Sequence, residues 1–176
     1  MSRNRQARAA RPAAPAKDGR SRQVLDLDRY VPALVTFIAN KLSRGATVLY
    51  QKRFGVNITE WRILSLLAIE PEISAARICH VIGFDKGPVS RTLGGMEERG
   101  LVSIRADRQD GRTHSISLTA KGFTTHGQVI ELALERERRL LSCLSKPERE
   151  TLIGLLLRVH GNLDAVKGAG EADDRA

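Results

Sequence analysis

The 176-residue chain is 41% hydrophobic and 28% charged, which excludes a wholly disordered polymer and leaves enough apolar mass for one domain with a sizeable core. Its longest apolar runs, such as LIGLLL at 152–157, fall far short of the roughly 20 residues of a membrane-spanning helix, and no hydrophobic signal segment opens the chain, so the expectation is a cytoplasmic protein with no membrane partner. The net charge of +9 points to a polyanionic partner, but seven basic residues opposed only by Asp18 lie within residues 1–23, so most of the excess belongs to that segment.

Residues 1–23 are rich in Arg, Ala and Pro and hold almost no large apolar side chain. Such a segment cannot bury enough surface to offset the entropy of ordering, and a disordered basic tail is expected. It reads as an arm that adds nonspecific phosphate contacts or as a solubilising extension; an Arg-rich, acid-poor transit peptide has a similar composition. The first helix is expected over about 28–53. Tyr30, Leu34, Phe37, Ile38, Leu42 and Leu49 recur there at three-to-four-residue spacing, with Asp28 as cap and Gly55 as stop. TEWRILSLLAIEP predicts a second helix capped by Thr59 and ended by Pro71. It is apolar nearly all round, so it should lie at the centre of the core.

SAARICHVIG and DKGPVSRTLGGMEERG follow, with Ser74 and Asp85 as caps and Gly83 and Gly100 as closing residues. Two short helices joined by so tight a glycine-containing link are a helix-turn-helix signal. LVSIR and SISLT then alternate apolar and polar residues as half-buried strands do. The loop between them carries Arg105, Arg108 and Arg112. Thr119 caps a long helix to about Ser142, and Ser145 with Glu148 makes a capping box for a last helix. The residues from 167 should fray.

The second helix of the pair suits a major groove, which admits one α-helix. Ser90 and Arg91 are placed to reach base edges and Lys86 to meet phosphate, while Gly87 and Pro88 keep bulk low. The hairpin tip is placed to probe the adjacent minor groove with arginine. Asp110, two residues before Arg112, has the spacing to hold that guanidinium in one orientation. A basic loop is ordinarily only solvated surface; its position directly after the helix pair favours DNA.

The stretches GFDKGPVSRTLGGMEERGLV and DGRTHSISLTAKG resemble the MarR (multiple antibiotic resistance regulator) family of transcription factors. Asp110, Arg112, Leu118, Thr119 and Gly122 match its D-x-R-x5-L-T-x-x-G pattern, and the resemblance covers roughly residues 25–165. Pro88 departs from the small or polar residues common near that helix start. The resemblance implies a mainly α fold with a small β-hairpin wing. A winged helix-turn-helix over about 57–119 would be flanked by dimerisation helices over about 28–53 and 119–166, within a domain spanning 24–166. It makes Arg112 the minor-groove arginine and Asp110 its orienting partner; Arg108, in the same loop, is a further candidate DNA contact by position.

The apolar stripes of the first helix and of the last two, with Val129, Ile130, Leu132, Ala133, Leu140 and Leu141, then Leu152, Leu155, Leu156 and Val159, exceed what the winged module can cover and predict an interface between two subunits, the alternative being a monomer that buries them internally. The resemblance implies a two-fold dimer. Such a dimer reads a pseudo-palindromic operator in double-stranded DNA. It also implies release by a small aromatic or anionic effector, for which Tyr30, Phe37, Trp61 and Arg62 are the candidate residues. Trp61 and Phe37 on apolar stripes are more often plain core, and Arg62 also reads as an exposed or salt-bridged residue.

Cys79 and Cys143 lie far apart without a CxxC, and His80, His114, His126 and His160 share no ligand spacing. Neither a disulfide framework nor a metal nor a cofactor is expected. A thiol-sensing regulator is an alternative. So is a winged helix used for protein or RNA contact. No phosphate loop, nucleophile elbow or HExxH marks an enzyme.

Overall fold

The computed structural model describes residues 23–106 and 114–167. The elements in chain order are α1 (Val31–Phe54), α2 (Ile58–Ile69), α3 (Ala75–Ile82), α4 (Lys86–Glu98), β1 (Val102–Ala106), β2 (His114–Leu118), α5 (Ala120–Leu140), a 3-10 turn (Leu141–Cys143), α6 (Lys146–Gly161) and the short α7 (Asp164–Lys167). The fold is thus mainly helical with one antiparallel hairpin. The chain divides into two compact units, Met1–Gly45 and Ala46–Ala176, and α1 runs across the division.

In the first unit, a turn on Asp26 precedes α1. The Asp26 carbonyl accepts the amides of Arg29 and Tyr30, and its side chain accepts the Asp28 amide. Asp28 is therefore absorbed by the turn and is not the cap of α1. The Tyr30 carbonyl accepts the first helical bonds, from Ala33 and Leu34. Val31, Leu34, Val35, Phe37, Ile38 and Leu42 are all exposed in the single chain.

The second unit is built around α2. Ile63, Leu64 and Leu67 are fully buried, and the helix touches α3, α4, α5 and β2. Such near-complete enclosure is what an all-round apolar helix requires. Truncating one of these three residues to alanine removes contacts on several elements at once, a change that costs about 2–5 kcal/mol in comparable cores. The helix starts earlier than Thr59 would allow. Asn57 caps it, its Oδ1 accepting the amides of Thr59 and Glu60 while Glu60 Oε2 accepts the Asn57 amide at 2.8 Å. Asparagine with a glutamate three residues on closes a capping box, which outcompetes a lone threonine.

α3 begins at Ser74, whose Oγ accepts the Arg77 amide, and ends at Gly83. Gly83 adopts φ +69°, a left-handed conformation that costs L side chains about 1–2 kcal/mol. This turn sends the chain directly into α4. Val89, Leu93 and Met96 bury one face of α4. The hairpin pairs Val102 with Leu118 and Ile104 with Ile116. It is joined to the rest of the unit by the Ile116 amide, which donates to Ile73 O at 2.9 Å.

The end of the hairpin and the start of α5 interlock. Thr119 Oγ1 accepts the Gly122 amide and donates to Gly100 O, the Thr119 amide donates to Leu101 O, and Lys121 Nζ donates to Arg99 O. A Cβ on Gly122 would lie 2.1 Å from the Leu101 carbonyl oxygen. The L-T-x-x-G pattern therefore has a steric cause: the helix crosses a backbone carbonyl with no room for a side chain. α5 ends at Leu140, before the expected Ser142, because Leu141–Cys143 tightens into the 3-10 turn. Val129 is fully buried in the core, so it is unavailable to a second subunit. Ile153, Leu155, Leu156, Leu157 and Val159 of α6 are exposed. Glu148 accepts both the Ser145 amide and hydroxyl at the start of α6, and these bonds hold its carboxyl below the usual carboxylate range. Among the described residues no helix is long and apolar enough to cross a membrane.

The Gly122–Leu101 approach gives a direct test. Gly122→Ala should destabilise the domain by about 1–3 kcal/mol, the range for overpacking. Urea unfolding followed by circular dichroism should show a lowered midpoint. An unchanged midpoint would mean that α5 is not seated on Leu101 O as described.

Candidate nucleic-acid interface

With Val89, Leu93 and Met96 committed to the core, α4 turns Lys86, Gly87, Pro88, Ser90 and Arg91 outward; all five are exposed. The Arg91 guanidinium lies back over the first turn, its Nη1 3.7 Å from where a Gly87 Cβ would stand. Pro88 occupies the first turn, where its missing N–H breaks no helical bond, and its carbonyl accepts the Thr92 hydroxyl at 3.0 Å. Asp85 flanks the helix start in an extended conformation, with no side-chain cap bond. Arg105 is exposed on β1, paired in register with Ser115. Arg108, Asp110 and Arg112 lie outside the described residues.

Two charged residues at the end of α4 tie it to neighbouring segments. Arg99, just past α4, donates Nη2 to Glu60 Oε1, Nη1 to Gly55 O at 2.7 Å and Nε to Gly95 O at 3.0 Å. Glu60 is buried. Glu97 accepts the Ile104 amide of β1 at 3.1 Å. Nothing in the stretch MEER distinguishes these roles, because Gly55 and Glu60 are distant in sequence and the Glu97 partner is a backbone amide of the next element.

A second cluster lies among α1, α2 and α5. Trp61 stacks on His126 with ring centres 5.3 Å apart and meets Tyr50 edge-on at 6.1 Å. Arg136 lies 5.9 Å from the Tyr50 ring centre. Burial pushes the Tyr50 hydroxyl up, partly offset by the charge and hydrogen bond of Arg136, and pushes His126 down. Ser65, one turn after Trp61 on α2, has a buried Oγ without a hydrogen-bond partner among the described residues. Of the sequence-derived effector set, Trp61 belongs to this cluster. Arg62 instead lies over Phe84, 5.4 Å from its ring centre; adjacent helical residues point about 100° apart. Tyr30 is exposed just before α1, and Phe37 is exposed on it, both within the first unit. Tyr50, His126 and Arg136 escaped sequence reading. Their periodicity marks them only as helix-face residues.

Cys79 is half-buried against the core and Cys143 is exposed at the end of the 3-10 turn. Among the described residues no group of three or more His, Cys, Asp or Glu side chains could hold a metal ion.

The sequence model of the MarR family matches residues 54–113, the stretch from the end of α1 to the hairpin. A MarR/EmrR family transcriptional regulator from Acinetobacter sp. ADP1 is similar in structure, with 33% identity, a TM-score of 0.75, and coverage of 80% of this chain and 99% of that one. The chain belongs to the MarR family of transcriptional regulators. The family and this relative are transcriptional regulators, not enzymes. Two more distant structures share the fold. One is S. aureus MepR in complex with DNA, at 21% identity and TM-score 0.67, covering 77% of this chain and 98% of that one. The other is PcaV from Streptomyces coelicolor in complex with its natural ligand, at 21% identity and TM-score 0.65, covering 79% and 97%.

The stacked pair yields a pH prediction. A histidine whose folded pKa is depressed is neutral in the native state, while the unfolded chain takes up a proton first as pH falls below about 6.5. Its contribution to stability is therefore present at neutral pH and is lost as pH drops through that range. Trp61 is the sole tryptophan, so its emission should titrate with a midpoint below the ordinary histidine value. His126→Phe should abolish that titration. A midpoint at or above 6.5 would contradict the half-buried stack.

Proposed function

We propose that the protein is a homodimeric, sequence-specific DNA-binding repressor released by a small aromatic or anionic effector. The observation that carries the DNA reading is the division of α4: one face is locked into the core, and the opposite face offers Lys86, Ser90 and Arg91 beside a hairpin bearing Arg105. In this reading α4 enters the major groove. Arg91 and Ser90 meet base edges and Lys86 meets phosphate. Arg108 and Arg112 in the wing reach the minor groove, with Asp110 orienting Arg112. MepR bound to DNA, with the same fold, supports this placement.

The exposed apolar residues of α1 and α6 are the proposed contact between subunits. Patches of that kind on a soluble chain ordinarily mark an interaction surface. Two copies would read a pseudo-palindrome with half-sites about one helical turn apart. Repression needs only occupancy of a promoter. The effector is assigned to the Trp61 cluster, where Tyr50 and His126 supply aromatic walls, Arg136 a cation and Ser65 an unpaired hydroxyl. Arg136 replaces Arg62 as the proposed anion partner, and Tyr30 and Phe37 are reassigned to the subunit contact. PcaV, which shares the fold and was solved with its natural ligand, supports a small-molecule role. Release would follow if the effector binds more tightly to a dimer whose two α4 helices no longer match the half-sites.

Selection from a random duplex pool with the full-length protein should enrich an inverted repeat. Affinity for it should fall by about 10³-fold or more between 50 and 200 mM salt, as several phosphate contacts require. Arg91→Ala should weaken binding by about tenfold and relax the preference at one base position per half-site. Arg112→Ala should lose most affinity with the fold intact; binding like the parent would remove the wing from the reading. In sedimentation, the parent should run as a dimer and Leu156→Glu as a monomer. A parent that sediments as a monomer would overturn the dimer.

A further inference from the structure

The hairpin is held from both outer edges at one level. Ile104 and Ile116 face each other across β1 and β2. The Ile116 amide donates outward to Ile73 O at 2.9 Å, and the Ile104 amide donates outward to Glu97 Oε1 at 3.1 Å. This is the pattern of a non-hydrogen-bonded antiparallel pair, whose amides point away from the ladder. One outward amide is satisfied by backbone. The other is satisfied by a side chain of α4, the same helix that presents Ser90 and Arg91.

We propose that Glu97 is a positioning residue for DNA binding: its bond to Ile104 sets where the hairpin stands relative to α4, so that helix and hairpin engage DNA as one rigid unit. The proposal rests on the DNA-binding reading above. Arg105 follows Ile104 by one residue, about 3.4 Å along the strand, so its origin is fixed by the clamped peptide. Arg91 precedes Glu97 by six residues, about 9 Å along one helix. At that level of the strand the two arginines are thus linked, in addition to the short corner in which the Leu101 amide donates to Met96 O, through one helix and the Glu97 side-chain bond. Without that bond the Ile104 amide would turn to water, which leaves the fold standing but lets the hairpin move. Ordering it would then be charged to the binding step.

The charge of Glu97 makes the idea easy to separate from its rival. A solvated carboxylate on a DNA-facing helix repels phosphate, so on electrostatic grounds its removal should strengthen binding. A positioning carboxylate behaves differently in the two obvious variants. Glu97→Gln keeps an oxygen that can accept the Ile104 amide and removes the charge. Glu97→Ala removes both.

The experiment measures the affinity of the full-length protein and both variants for the duplex enriched from the random pool, at one fixed salt concentration. Amide hydrogen exchange at Ile104 is followed in parallel. Glu97→Gln should bind as the parent or more tightly. Glu97→Ala should bind about tenfold more weakly, the effect of one charge-assisted bond. Its loss should largely vanish in an Arg105→Ala background and persist in an Arg91→Ala background. Ile104 should exchange faster in Glu97→Ala while core amides such as that of Leu64 stay protected. Glu97→Ala binding as well as the parent or better would overturn the proposal, as would an Ile104 amide that exchanges alike in all three proteins. If the parent itself enriches no sequence, the DNA reading fails, and the positioning role falls with it.

Discussion

Three backbone segments of the second unit meet at the Arg99 guanidinium. It closes on the carbonyl just past α1, on the carboxylate at the start of α2 and on a carbonyl of its own helix. Glu60 is buried, and its second oxygen is engaged in capping α2. A buried carboxylate with no cation is far costlier than the pair is favourable, so the arrangement is better understood as a constraint on geometry than as a source of stability. A cation also suits the C-terminal end of α4, where the helix dipole is negative. The direction in which α4 leaves the core therefore depends on where α2 begins. That direction decides what Lys86, Ser90 and Arg91 can reach.

The hairpin is joined to this frame at several places. Ile73, between α2 and α3, takes one edge and Glu97 the other, and Thr119 and Lys121 bind the carbonyls around the α4–β1 corner. The absence of a side chain at Gly122 lets α5 lie directly on Leu101. Most of these bonds are to backbone atoms. They fix positions of the chain rather than identities of neighbouring side chains.

α2 also faces the aromatic cluster. Trp61 and Ser65 lie on the helix whose first turn holds Glu60, and His126 and Arg136 come from α5. A molecule seated against Trp61 would act on the same rigid helix that carries the Arg99 contact. Tightly packed helices shift as units, so small displacements at one end are felt at the other. This gives the proposed effector a physical route to α4 that runs through one helix of 12 residues.

The chain sequence by itself determined the helix-turn-helix pair, the hairpin and their order, because these depend on local rules. Gly83 supplies a left-handed residue, Ser74 and Thr119 cap their helices, and period-two alternation marks the strands. It also revealed which face of α4 is apolar and hence that Lys86, Ser90 and Arg91 face outward. Local rules failed where two local signals competed, as when Asn57 displaced Thr59 and the Asp26 turn displaced Asp28. Tertiary structure alone decided the pairing of Glu60 with Arg99, the role of Glu97, the loss of Val129 to the core, and the grouping of Tyr50, Trp61, His126 and Arg136. Those side chains carry no local signature of their partners. Glutamates 60 and 97 differ in sequence only by their neighbours, yet packing buries one under a guanidinium and brings the other to a strand edge. What a charged residue does is set by which distant backbone the fold carries to it.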